Sequence, residues 1–179
     1  DWYNVQTANT PQITNLNAEI ISPSKALITW QTNYVAVSKI EYGIDQYDKN
    51  LTVDGKASNF SNSLDNLTPG KNYQLRIRAI SDDGANFTAG ITFSTPPLPI
   101  VSSLTYEPNF TAAQASYKFT WNTNTATSSA LYYKLKDDSS YKSASSPDLV
   151  TYHELVVPGF SDQSSYIYYA GGMDQYGNI

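Results

Sequence analysis

The chain has 179 residues, a formal net charge of −5, 13% aromatic and only 15% charged residues, and no cysteine. The length suits two compact units of roughly 100 residues better than one sandwich plus a catalytic domain. The aromatic content excludes a disordered chain, the missing cysteines exclude disulfides and thiolate metal sites, and eleven scattered Lys and Arg exclude the basic stripe that nucleic acid requires.

In chain order, the first ten residues, 1–10, form a lead-in segment with no basic or apolar targeting pattern, and no apolar run nears the roughly 20 residues of a membrane helix. Insertion into a membrane is therefore not expected within this chain. Ala26, Ile28 and Trp30 then alternate with Leu27 and Thr29, and Tyr73, Leu75, Ile77 and Ala79 alternate with Gln74, Arg76 and Arg78. Period two predicts half-buried antiparallel strands. Asp54-Gly55, Leu67-Thr-Pro-Gly70 and Ser81-Asp-Asp-Gly84 supply the turns between them, and Ala89–Ser94 reads as a last strand. At Thr95-Pro-Pro-Leu-Pro99, three prolines in five residues predict a short, semi-rigid linker.

Beyond that linker the pattern repeats. Ala26–Trp30 maps onto Tyr117–Trp121 and Ser38–Tyr42 onto Ser129–Tyr133 at an offset of 91. After two inserted residues an offset of 93 carries Leu67 to Phe160, Tyr73 to Tyr166 and Gly84 to Gly177. The organisation read from this is a lead-in at 1–10, domain 1 at 11–95, a linker at 96–99 and domain 2 at 100–179, two short-stranded all-β antiparallel sandwiches in tandem.

Trp30-Gln-Thr32, Ser38-Lys-Ile-Glu-Tyr-Gly43 and Leu67-Thr-Pro-Gly-Lys-Asn-Tyr73 give this sequence a resemblance to the fibronectin type III family, most closely to its bacterial and archaeal surface-protein branch. The resemblance covers residues 11 to 96. It implies an immunoglobulin-like sandwich in which Trp30 fills the centre and Tyr73 forms a tyrosine corner. Domain 2 keeps the counterparts Trp121 and Tyr166 and the Asp174–Asn178 turn, but has Asp162 in place of Pro69 and Lys134 in place of Gly43. Subtracting 93 puts Ile179 level with residue 86, so domain 2 is expected to lack its last strand. Either that strand lies in a remainder outside this sequence, or a partner supplies it.

An inventory of chemistry argues against an enzyme. The only histidine, His153, aligns with Phe60 and reads as structural or surface, and with no cysteine there is no Cys-His nucleophile and no His-rich zinc pattern. Asp82-Asp83 and Asp137-Asp138 sit in turns, where aspartate bonds local backbone without an ion, and no twelve-residue calcium loop surrounds them. No cofactor or metal is expected. Asn-x-Ser/Thr acceptors stand at Asn50, Asn59, Asn66, Asn86 and Asn109, a mild excess over the about three that such a composition yields by chance.

The outward neighbours on one sheet of domain 1 are Lys39, Glu41, Arg76 and Arg78. Their counterparts in domain 2 are read as Ala130, Tyr132, Ile167 and Tyr169, an apolar and aromatic candidate contact face. The expected function is a non-catalytic structural or adhesive segment of an extracellular or cell-surface glycoprotein, in the manner of a filament or surface-layer component. Neighbouring domains or identical subunits are the expected partners, and a glycan stacked on Tyr132 and Tyr169 is the second candidate. The alternative function is an accessory spacer or carbohydrate-binding region of a larger secreted enzyme, such as a phosphatase or glycoside hydrolase.

Overall fold

The structure, a computed structural model, describes residues 10–111, 114–161 and 163–179. The lead-in segment, except its last residue, and Asp162 lie outside the described residues. The chain divides into two compact units with the boundary between Pro96 and Pro97, and the regular structure of both is entirely β.

Unit 1 holds β1 (Ile13–Ser22), β2 (Lys25–Gly43), β3 (Lys49–Thr52), β4 (Ala57–Leu64), β5 (Asn72–Ile80) and β6 (Asn86–Ser94). The sequence predicts separate short strands, whereas β2 is continuous over 19 residues. It serves two layers in turn. Its Ala26–Gln31 stretch pairs with β1 and β4, and its Val37–Gly43 stretch pairs with β5, part of it also with β3. Between the two stretches Thr32 donates its hydroxyl to the Tyr34 carbonyl at 2.7 Å, which holds the crossover extended. β6 closes the second layer by pairing along the whole of β5, from Asn72↔Ser94 to Ile80↔Asn86.

The alternation seen in the sequence fills the space between the layers. Ile28, Trp30, Phe60 and Leu64 come from the first layer, and Ile40, Tyr73, Leu75, Ile77 and Phe93 from the second. Trp30 stacks on Phe60 at 4.8 Å and donates its indole N–H to Ser38 Oγ at 3.3 Å, so one side chain packs within its own layer and bonds across to the other.

Unit 2 holds β7 (Val101–Thr111), β8 (Gln114–Leu135), β9 (Lys142–Pro158) and β10 (Tyr166–Gly171). β8 and β9 both serve two layers. Ser116–Asn122 of β8 pairs with β7 and with Tyr152–Pro158 of β9, while its later residues pair with Lys142–Ser146 of β9 and with β10. The frame repeats that of unit 1 in its details. β1 is bulged at Asn15 and β7 at Ser103, each residue in the left-handed region with φ 52° and 55°. The backbone amide of Thr68 donates to the Tyr73 hydroxyl at 2.8 Å, and that of Ser161 to the Tyr166 hydroxyl at 3.2 Å. The Ser81–Ala85 turn closes with a 2.9 Å bond from Ser81 N to Ala85 O, and the Asp174–Asn178 turn closes the same way at 2.9 Å.

The two units part at β10. It pairs with β8 from Tyr166↔Leu135 to Gly171↔Ala130, and among the described residues no strand lies along its other edge, where β6 lies along β5. This changes the core. Trp30, Tyr73 and Trp121 are buried, but Tyr166, expected in the core with them, is only half-buried, because among the described residues no counterpart of Phe93 covers it. Of the linker expected at 96–99, the Leu98 carbonyl accepts from Asn124 Nδ2 at 3.0 Å. Asn124 Oδ1 in turn accepts from the Ile100 amide at 2.7 Å.

Candidate functional site

The outer face of the second layer differs in kind between the units. In unit 1, Glu41 lies opposite Arg76 across β2 and β5, accepting from Arg76 Nε at 2.6 Å, with Lys39 Nζ 3.3 Å from its other oxygen. The Arg76 hydrogen bond holds the Glu41 carboxyl below its ordinary pKa. The Arg76 guanidinium also lies over the Tyr47 ring, 4.3 Å from its centroid. This face is solvated and satisfied.

In unit 2, Tyr132 and Tyr169 form the corresponding cross-strand pair, and their rings stack at 4.9 Å and 17°. Tyr141 packs nearly perpendicular to Tyr169 at 5.3 Å, and Lys134 Nζ lies 5.2 Å from the Tyr141 centroid. Ile167 stands opposite Lys134 and is 40% exposed, Tyr169 is 49% exposed, and Ala130 is half-buried opposite Gly171. The register corrects one alignment. Tyr169 occupies the place of Arg76 and Gly171 that of Arg78, while Ile167 matches Gln74, because the two inserted residues precede β10. All four expected residues still share one face. Tyr141 joins them from the turn before β9, where no strand periodicity marks it in the sequence.

Behind this face lies a second aromatic group that sequence reading missed. Tyr106 of β7, Tyr117 and Phe119 of β8, Phe160 after β9, and Tyr166 and Tyr168 of β10 line an open cleft of about 160 Å³. Burial pushes the Tyr168 hydroxyl above its ordinary pKa, with Tyr106 adding to the shift. In the sequence only single members hint at this group, Phe160 level with Leu67 and Tyr166 level with Tyr73, and nothing there gathers them into a cleft.

His153 is fully buried and stacks on Trp121 at 4.9 Å and 3°, where Phe60 stacks on Trp30 in unit 1. Thr123 gives its hydroxyl proton to the Thr125 carbonyl at 2.8 Å, so at 2.9 Å it accepts from His153 Nε2–H. Nδ1 then accepts from Ser129 Oγ at 2.9 Å. Burial lowers the imidazole pKa. Ser129 holds the position of Ser38, but its hydroxyl serves the histidine, and Trp121 Nε1 is left buried with no hydrogen-bond partner among the described residues. Among the described residues the partners of this ring are the hydroxyls of Thr123, Thr127 and Ser129.

In the Asp82-Asp83 turn both carboxylates have protein partners, and the second aspartate turn is tied through a backbone carbonyl. Asp82 pairs with Lys56, Asp83 accepts from Ser81 Oγ, and the Asp138 carbonyl accepts from Lys134 Nζ at 2.5 Å. Among the described residues no three His, Asp or Glu side chains converge as a metal site would need. Of the acceptor asparagines, Asn50, Asn59, Asn66 and Asn86 are exposed in unit 1, and Asn109 is half-buried in unit 2. None stands on the tyrosine face.

No curated protein matches the chain. Residues 9–94 match the family model of the fibronectin type III domain, so the first unit, from β1 to β6, is similar to that family.

Proposed function

We propose that the chain is a non-catalytic structural or adhesive segment of an extracellular or cell-surface protein. In this reading unit 2 is a second fibronectin type III-like sandwich, and the outer face carrying Ala130, Tyr132, Ile167 and Tyr169 contacts an identical subunit or a neighbouring domain. The observation that carries the reading is the exchange, at equivalent positions, of the solvated Glu41–Arg76 pair for the stacked Tyr132–Tyr169 pair. Exposed Tyr169 and Ile167, with half-buried Tyr132 stacked on Tyr169 on the same face, supply rigid contact area at little entropic cost. Fibronectin type III domains are commonly modules without chemistry of their own. None of the five acceptor asparagines stands on this face, so none would attach a glycan to the tyrosine surface itself. Tyr132 and Tyr169 turn their ring faces on each other, which favours a protein contact over sugar stacking.

Sedimentation velocity over a concentration series tests this on the protein and on the double variant Tyr132→Glu with Tyr169→Arg, which installs the pair that unit 1 already folds with. Self-association is expected in the parent and at least about tenfold weaker in the variant, as for loss of an aromatic anchor. A parent that stays monomeric at its highest soluble concentration removes the identical-subunit reading. Equal association of both proteins moves the contact elsewhere.

A further inference from the structure

The turns of unit 1 hold the two Asp-Gly pairs of the chain, Asp54-Gly55 and Asp83-Gly84. In such a pair the glycine amide nitrogen can attack the aspartate side chain, because glycine has no Cβ to crowd the approach. Locally the two pairs are alike. Both are exposed, both glycines lie in the left-handed region at φ 78° and 81°, and a Cβ on either would meet nothing within 4 Å. They differ in what holds the reacting groups. The Asp83 carboxylate accepts from Ser81 Oγ and from the Ala85 amide at 3.4 Å, and the Gly84 amide donates to the Ser81 carbonyl at 3.0 Å. At the other pair, neither the Asp54 carboxylate nor the Gly55 amide has a hydrogen-bond partner among the described residues. Only the ends of that connector are fixed: Val53 is buried and donates its amide to the Ser38 carbonyl at 3.1 Å, and Ala57 pairs with Ala36.

We propose that Asp54 is a modification site at which the folded chain converts itself to isoaspartate, whereas Asp83 is protected by its turn. The Gly55 nitrogen forms a bond to Asp54 Cγ, the hydroxyl of the protonated carboxyl leaves with the amide proton as water, and a five-membered succinimide results. Water then adds to the ring at the main-chain carbonyl of residue 54. The bond from that carbonyl to the Gly55 nitrogen breaks, and Gly55 stays joined through Cγ. One water leaves and one returns, so no oxidant or co-reactant is consumed. Mass and formal charge are kept, but the connector between β3 and β4 gains one main-chain carbon and carries the former α-carboxylate as its side group. At Asp83-Gly84 the same step must first break the bonds that occupy both nucleophile and electrophile, which raises its barrier.

Ageing the whole protein at physiological temperature, folded and in denaturant, tests the proposal. Isoaspartate is read at each site by peptide mapping after labelling with an isoaspartyl carboxyl methyltransferase. The rates in denaturant, where the turn bonds are gone, give the intrinsic reactivity of each pair. Relative to those rates, folding is expected to slow residue 83 at least about tenfold more than residue 54. Ser81→Ala, which removes a hydroxyl from Asp83, should speed residue 83 and leave residue 54 as it was. Equal slowing of the two sites on folding would overturn the proposal, as would a folded chain that forms isoaspartate at residue 83 and not at residue 54.

Discussion

Unit 1 and unit 2 share a frame and differ in closure. Bulged first strands, strands that serve two layers, and a tyrosine hydroxyl held by the backbone five residues before it recur in both. Unit 1 then seals its core with β6, whereas unit 2 leaves Tyr166, Tyr168 and Phe160 around an open cleft. The same frame therefore recurs with and without a closing strand, and burial of the tyrosine at its edge depends on that one hairpin partner. The largest test of this contrast is truncation of each central tryptophan. Trp30→Ala is expected to cost unit 1 about 4–5 kcal/mol, the upper end for deleting a buried aromatic. Trp121→Ala is expected to cost unit 2 only about 3 kcal/mol, because it also removes a buried N–H without a partner and leaves a gap that an open core relaxes into. Hydrogen exchange of each unit under denaturant gives the two losses separately, and equal losses would break the distinction.

The centres of the two cores also predict different responses to acid. His153 is buried among Trp121 and the hydroxyls of Thr123, Thr127 and Ser129, and the packed elements β8 and β9 bring no charged group into hydrogen-bonding contact with it. Asp174, bridged through its backbone to Thr127, spends its carboxylate on the amides of Tyr176 and Asn178. Burial depresses the histidine pKa in the folded state, so the unfolded chain binds a proton more readily. The stabilisation is present above the unfolded value of about 6.5 and is lost as pH falls below it. Unit 1 has no histidine in its described residues and stays level through the same window. His153→Phe, which copies Phe60, should level unit 2 as well and free Ser129 for the Trp121 indole. Denaturant midpoints at a series of pH values check this, and unit 2 stability that holds or rises on acidification would refute it.

Much of this was legible in the sequence, and for a physical reason in each case. Ala26, Ile28 and Trp30 announce their strand because burial on one face imposes period two, and the repeat at offsets of 91 and 93 carries that assignment to Trp121. The tyrosine face was found the same way. What escaped depends on three dimensions. The continuity of β2 through residues 33–35 leaves no periodic trace, the cleft gathers aromatics from four separate segments, and the exact partner of Arg76 waits on where two inserted residues are absorbed. His153 aligns with Phe60, but only the structure shows that it takes Ser129, the counterpart of the serine to which the tryptophan of unit 1 donates.

The smallest expected effect concerns the loop that leads into β5 and β10. Unit 1 places Asn66 and Gly70 in the left-handed region, at φ 58° and 68°, and unit 2 places Gly159 and Gln163 there, at 84° and 54°. Both units thus need the same two strained positions, but the residue suited to them is exchanged between the first and the second. Asparagine tolerates this region and glycine is free in it, whereas glutamine pays about 1 kcal/mol for the contact of its Cβ with the backbone. Glycine in turn loses more backbone entropy on folding, about 0.5 kcal/mol here, so Gln163→Gly is expected to stabilise unit 2 by only about 0.5 kcal/mol. Gly70→Gln should weaken unit 1 by a similar amount, while Asn66→Gly should change it by no more than a few tenths, about the noise of the measurement. The signs matter more than the sizes. Opposite signs for the two glutamine exchanges mean that the loop is one conformation imposed on two sequences, whereas a loss in Gln163→Gly would mean that unit 2 holds that loop by side-chain contacts unit 1 does not use.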